Sequence, residues 1–136
     1  MALDSSGNLY VADTNDNRVL MYLAPLPFGT GTPGTPGSAG DVTADLVFGQ
    51  GSAGNCFNGI CDVADGQDTL TEPYSVALDQ NGNLYAADFG DNRVLEYDNP
   101  LASGGGTPGL PGAAGDVTAD LVFGQGSAGK IGRAHV

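Results

Sequence analysis

The chain has 136 residues, of which 23 are Gly and 8 are Pro, and this density of breakers excludes a helical bundle. The 40% hydrophobic residues fall in short β-rich clusters, which excludes disorder and leaves an all-β fold as the expectation. Sixteen Asp and Glu against four Lys and Arg give a net charge of −12, so nucleic acid and anionic membrane surfaces are disfavoured as partners.

In chain order, the first elements are short strands at Ala2–Asp4, Asn8–Asp13 and Arg18–Tyr22. A Gly/Pro-rich loop over 29–40 follows, then a strand at Asp45–Phe48. Residues 55–72 read as an acidic connecting loop containing both cysteines. The pattern then returns. Strands are expected at Tyr74–Asp79, Asn83–Asp88, Arg93–Tyr97 and Asp120–Phe123, with an Asn81-Gly82 turn after the first and a Gly/Pro-rich loop over 104–115 before the last. Residues 2–54 align without a gap with 77–129 at an offset of 75, and 40 of the 53 pairs are identical. The expected organisation is therefore a first unit over 1–54, the connecting loop over 55–72, a second unit over 73–129 and a tail over 130–136. Nothing between them approaches the ~20 apolar residues of a membrane span, so no membrane insertion is expected. Met1 runs straight into what reads as a strand, so no signal peptide is expected within this stretch. Met21 in one copy is Glu96 in the other, which predicts that this face of the third strand meets solvent while Leu20/Leu95 and Tyr22/Tyr97 point inward.

The run Val76-Ala77-Leu78-Asp79-x-x-Gly82-Asn83-Leu84-Tyr85-x-Ala87-Asp88-x-x-Asp91-Asn92-Arg93-Val94 resembles the NHL repeat, and the first copy carries the same pattern. The resemblance implies two four-stranded antiparallel blades of an incomplete β-propeller, each with its first strand innermost. The 75-residue spacing departs from the family because two connections are expanded. Two blades do not close a ring, so the remaining blades of a longer parent chain are expected as partners.

The chemistry-bearing candidates are few. Arg18 and Arg93 hold one equivalent position, with Asp13 and Asp16, or Asp88 and Asp91, five and two residues earlier. With the neighbouring Asn17 and Asn92 they read as structural groups, each guanidinium locking the turn between second and third strands. Loss of Arg93 is expected to cost about 1–3 kcal/mol. Cys56 and Cys61 enclose a tight turn and are expected to form a disulfide, which suits an extracellular or periplasmic protein. Asp62, Asp65, Asp68 and Glu72 do not follow the alternating pattern of a calcium loop and read as a solvated acidic loop. Gly49-Gln50-Gly51-Ser52-Ala53-Gly54 fits a phosphate-loop pattern, yet Asn55-Cys56-Phe57-Asn58-Gly59 after it opens no helix, so it reads as a strand-exit turn. The lone His135 lies in the tail, leaving the body without an imidazole for acid–base work. No catalytic residue, metal ligand or cofactor is assigned.

The tail Lys130-Ile131-Gly132-Arg133-Ala134-His135-Val136 breaks the repeat register and reads like one translated frame of a sequencing-adapter oligonucleotide, so it is treated as non-native. The expected function is a non-catalytic binding or scaffold module for a protein or small ligand. The alternative is part of a propeller enzyme, of lyase or lactonase type, whose active-site residues lie in further blades. An aromatic patch on one rim favours the module; a His or three acidic residues converging at the inner strand ends favour the enzyme.

Overall fold

The computed structural model describes residues 1–25, 42–50, 69–101 and 117–124. The Gly/Pro-rich loops, Cys56, Cys61, Asp62, Asp65, Asp68 and the tail all lie outside the described residues. Among the described residues there are eight strands: β1 (Ala2–Leu3), β2 (Leu9–Asp13), β3 (Arg18–Tyr22), β4 (Leu46–Phe48), β5 (Pro73–Leu78), β6 (Leu84–Asp88), β7 (Arg93–Tyr97) and β8 (Leu121–Phe123). They form two four-stranded antiparallel sheets of order β1-β2-β3-β4 and β5-β6-β7-β8. The protein is all-β, and among the described residues no helix is long and apolar enough to cross a membrane.

Local chemistry explains why each sheet is a meander. At the β1–β2 turn, Asp4 Oδ1 accepts the Ser6 and Asn8 backbone N–H groups at 2.8 and 2.9 Å. Asp79 does the same for Asn81 and Asn83 at 2.8 and 2.9 Å in the second sheet. This Asx geometry substitutes for backbone pairing and leaves Gly7 and Gly82 at φ of 85° and 87°, where only glycine is unstrained. Burial pushes the Asp79 carboxyl up, but the bonds donated by Asn83 and Asn81 outweigh it and hold it below its ordinary value. The side chains of Asn8 and Asn83 then reach across their sheets, accepting the N–H of Ala24 at 2.9 Å and of Asn99 at 3.0 Å. One Asp–Asn pair thus ties the first hairpin to the exit of the third strand. The β2–β3 turn is a short 3-10 turn over Thr14–Asp16, closed by Asn17 at φ 52°, and Asn92 at φ 53° closes the β6–β7 turn.

The sheets stack face to face, and the stacking decides which residues are core. Tyr10, Val19, Met21 and Phe48 on one face of the first sheet meet Val76, Leu84, Ala86, Leu95 and Tyr97 on the opposite face of the second. Phe48 packs edge-on against Tyr97 with ring centroids 5.1 Å apart. This corrects the expectation for the third strand of the first sheet, whereas in the second Leu95 and Tyr97 point into the core as expected. Met21 is fully buried and Glu96 is 2% exposed, whereas Leu20 and Tyr22 are only half-buried. The physical reason is that successive sheets contribute opposite faces to the shared core. A Met-to-Glu exchange between copies therefore marks a change of neighbour, not a solvent face.

Residues 69–72 staple the sheets together. Gln50 and Thr69 form an antiparallel bridge, and the Leu70 N–H donates to Gly49 O at 3.0 Å. The Thr71 N–H donates to Asp88 Oδ1 at 2.6 Å, and the Glu72 N–H donates to Asn17 Oδ1 at 2.9 Å. Gly49 sits at φ 85°, and a Cβ there would clash with the Leu70 side chain. The first glycine of the phosphate-loop-like run therefore serves close packing.

Candidate functional site

Three arrangements of polar or exposed groups stand out. The first is the pair of arginine clasps. Arg18 Nε donates to Asp13 Oδ2 at 2.8 Å and Nη2 to Asp16 Oδ2 at 3.1 Å. Arg93 repeats this with Asp88 at 2.7 Å and Asp91 at 3.1 Å, and its Nη2 also donates to Thr69 O at 2.7 Å. Strand register puts each Asp13–Arg18 and Asp88–Arg93 pair directly opposite one another. Their surroundings differ: the Asp88 side chain is 0% exposed and that of Asp13 is 30% exposed. Asp88 lies on the face that the first sheet and residues 69–72 cover, while Asp13 lies on the uncovered face. Burial accordingly raises the Asp88 carboxyl, opposed by the bond from Arg93 and the N–H of Thr71. Gln50 is a member of the first clasp that sequence reasoning missed. It is buried and donates through Nε2 to the Asp16 and Asn17 carbonyls, both at 2.9 Å. Its signal was the identical Gln125 in the second copy.

The second arrangement is the outward face of the second sheet. Tyr74 and Phe89 are 66% and 59% exposed and pack against each other with rings tilted by 60° and centroids 4.8 Å apart. With Val94 and Phe123 they line a shallow depression of about 390 Å³. Phe123 is 48% exposed although its counterpart Phe48 is fully buried.

The third is a carboxylate cluster at the end of β7 and the start of β8. Glu96, Asp98 and Asp120 each bring a carboxylate oxygen within 4.8 Å of the others. Burial pushes Glu96 up to about 8, and the carboxyl of Asp98 and the charges of Asp98, Asp120 and Asp79 add to it. Sequence reasoning missed this cluster because it placed Glu96 in solvent. The available signal was the paired exchange of Met21 and Leu23 for Glu96 and Asp98 beside an aspartate present in both copies. Glu72, the described member of the acidic connecting loop, is exposed and belongs to the inter-sheet staple.

No protein-family model, curated protein or solved structure matches this chain.

Proposed function

We propose that the two sheets are blades of an NHL-type β-propeller and that the chain acts as a non-catalytic binding or scaffold module. One observation carries this reading. Tyr10, Val19 and Phe48 on the covered face of the first sheet are identical to Tyr85, Val94 and Phe123 on the outward face of the second. The outward face thus carries the residues to receive another sheet of the same kind, as successive blades do. The exposed Tyr74–Phe89 pair at its edge supplies an aromatic contact for a partner. Export to an oxidising compartment belongs to the same reading and rests on the spacing of Cys56 and Cys61. The secreted protein is then lighter by two hydrogens than its reduced form.

Sedimentation velocity of the full chain over a concentration series tests the stacking. Association that Phe123→Asp suppresses is the expected result. A chain that stays monomeric at high concentration, with Phe123→Asp changing nothing, overturns it.

The converging carboxylates favour a second reading, an enzyme of lyase or lactonase type. They lie at the adjoining ends of the third and fourth strands, with β6 between those strands and β5. A propeller with its first strand innermost puts them away from the central channel, which weighs for the module.

A further inference from the structure

The corner where β7 leaves the second sheet is built on a framework that the first sheet already completes. Asp45 Oδ2 accepts the Leu23 N–H at 2.7 Å, and Asp120 Oδ2 accepts the Asp98 N–H at 2.8 Å. The Asp45 and Asp120 N–H groups donate to the Met21 and Glu96 carbonyls, both at 2.8 Å. The first sheet makes this corner with Met21 and Leu23 where the second has Glu96 and Asp98, so the two extra carboxylates are not needed to fold it.

What they add is unfavourable on its own. Carboxylates whose oxygens lie within 4.8 Å of one another repel when ionised, the more so where burial weakens the screening by water. The described arginines do not relieve this, because Arg18 and Arg93 are held by their own aspartate pairs at the other ends of β3 and β7. A separate observation points the same way. Glu96 is 2% exposed, and its Oε2 is buried without a hydrogen-bond partner. A buried oxygen with no partner has given up its hydration without replacement and calls for a positive ligand.

We propose that Glu96, Asp98 and Asp120 bind a divalent hard cation, Ca²⁺ in preference to Mg²⁺ or Zn²⁺. The donor set is entirely carboxylate oxygen, which is wrong for zinc's usual nitrogen and sulfur ligands. Oxygens at about 2.4 Å from one ion lie no more than about 4.8 Å from one another, so a common ion fits the observed separation. Mg²⁺ demands a tighter octahedron, whereas Ca²⁺ accepts six to eight oxygens in flexible geometry, with water completing the shell. The first sheet, with Asp45 alone, is a built-in control that binds none.

Isothermal titration of the full, metal-free chain with CaCl₂ tests this, with Tb³⁺ luminescence excited through tyrosine as a second readout. The expected result is at least tenfold weaker Ca²⁺ binding in Glu96→Met/Asp98→Leu, which installs the first sheet's own residues. Glu96→Gln, nearly isosteric, is expected to weaken binding at least fivefold, and Asp45→Asn to leave it unchanged. Mg²⁺ is expected to bind at least tenfold more weakly than Ca²⁺. The proposal is overturned if the unmodified chain binds no Ca²⁺ at millimolar concentration. It is equally overturned if both Glu96 variants bind as the unmodified chain does while Asp62→Asn/Asp65→Asn/Asp68→Asn does not, which would move the site to the connecting loop.

Discussion

Replacing Arg93 by Ala is expected to unbalance the second sheet more than its counterpart unbalances the first. Arg93 donates to Asp88 at 2.7 Å, to Thr69 O at 2.7 Å and to Asp91 at 3.1 Å. Asp91 is 29% exposed and water can replace its bond, so that contact contributes little. Asp88 is different, because its side chain is 0% exposed and its carboxylate would remain buried with only the Thr71 N–H. Removing one partner of a buried ion pair costs about 3–5 kcal/mol, above the 1–3 kcal/mol expected from hydrogen bonding alone. Arg18→Ala leaves Asp13, already 30% exposed, to solvent, and is expected to cost about 1–2 kcal/mol. Urea unfolding followed by far-UV circular dichroism and tyrosine fluorescence measures both, since the chain has no Trp. Acid adds a check. A buried carboxyl whose folded-state pKa is raised loses stability as pH rises through that pKa, and losing Arg93 removes a group that lowers it. The Arg93→Ala deficit should therefore shrink as the pH is lowered and Asp88, held above its ordinary value by burial, takes up a proton. Equal losses for the two arginines, or an Arg93 deficit below about 1 kcal/mol at pH 7, would refute the assignment of the difference to the burial of Asp88.

Three further outcomes follow from the same geometry. In EDTA, stability should fall as pH rises from about 4.5 to about 8, by at most ~1.4 kcal/mol per unit, because folded Glu96 keeps a proton that the unfolded chain has released. Asp79, Asp98 and Asp120 surround that group, and Glu96→Gln should flatten the slope in denaturation curves taken across the range. Gly49→Ala should cost more than about 2 kcal/mol and Gly7→Ala about 1, since both have φ of 85° but only Gly49 faces Leu70. Phe48→Ala should cost about 3–5 kcal/mol and Phe123→Ala under about 1 in the monomer, and equal losses would show that the outward face is covered.

The strand order and turns were legible because their causes are local. Asp4, Gly7 and Asn8, repeated as Asp79, Gly82 and Asn83, encode a hairpin within five residues, and period-two apolar runs encode the strands around it. The Arg–Asp spacing was legible for the same reason, since an antiparallel register joins residues five apart across one turn. The face of Met21 was not. Strand alternation says that neighbours point oppositely, but which side is interior depends on the sheet stacked against it. Here consecutive sheets use opposite sides. That one tertiary fact buries Met21, covers Asp88 while leaving Asp13 half open, and leaves Phe123 exposed where Phe48 is enclosed. Glu96 was missed for a separate reason, because a carboxylate two residues from Asp98 is ordinary on a wet strand. It lies on the outward face with Tyr85 and Phe123, and the β7–β8 pairing brought Asp120 beside it. Sequence determined two copies of one meander; the stacking of non-local faces decided what each copy's identical residues do.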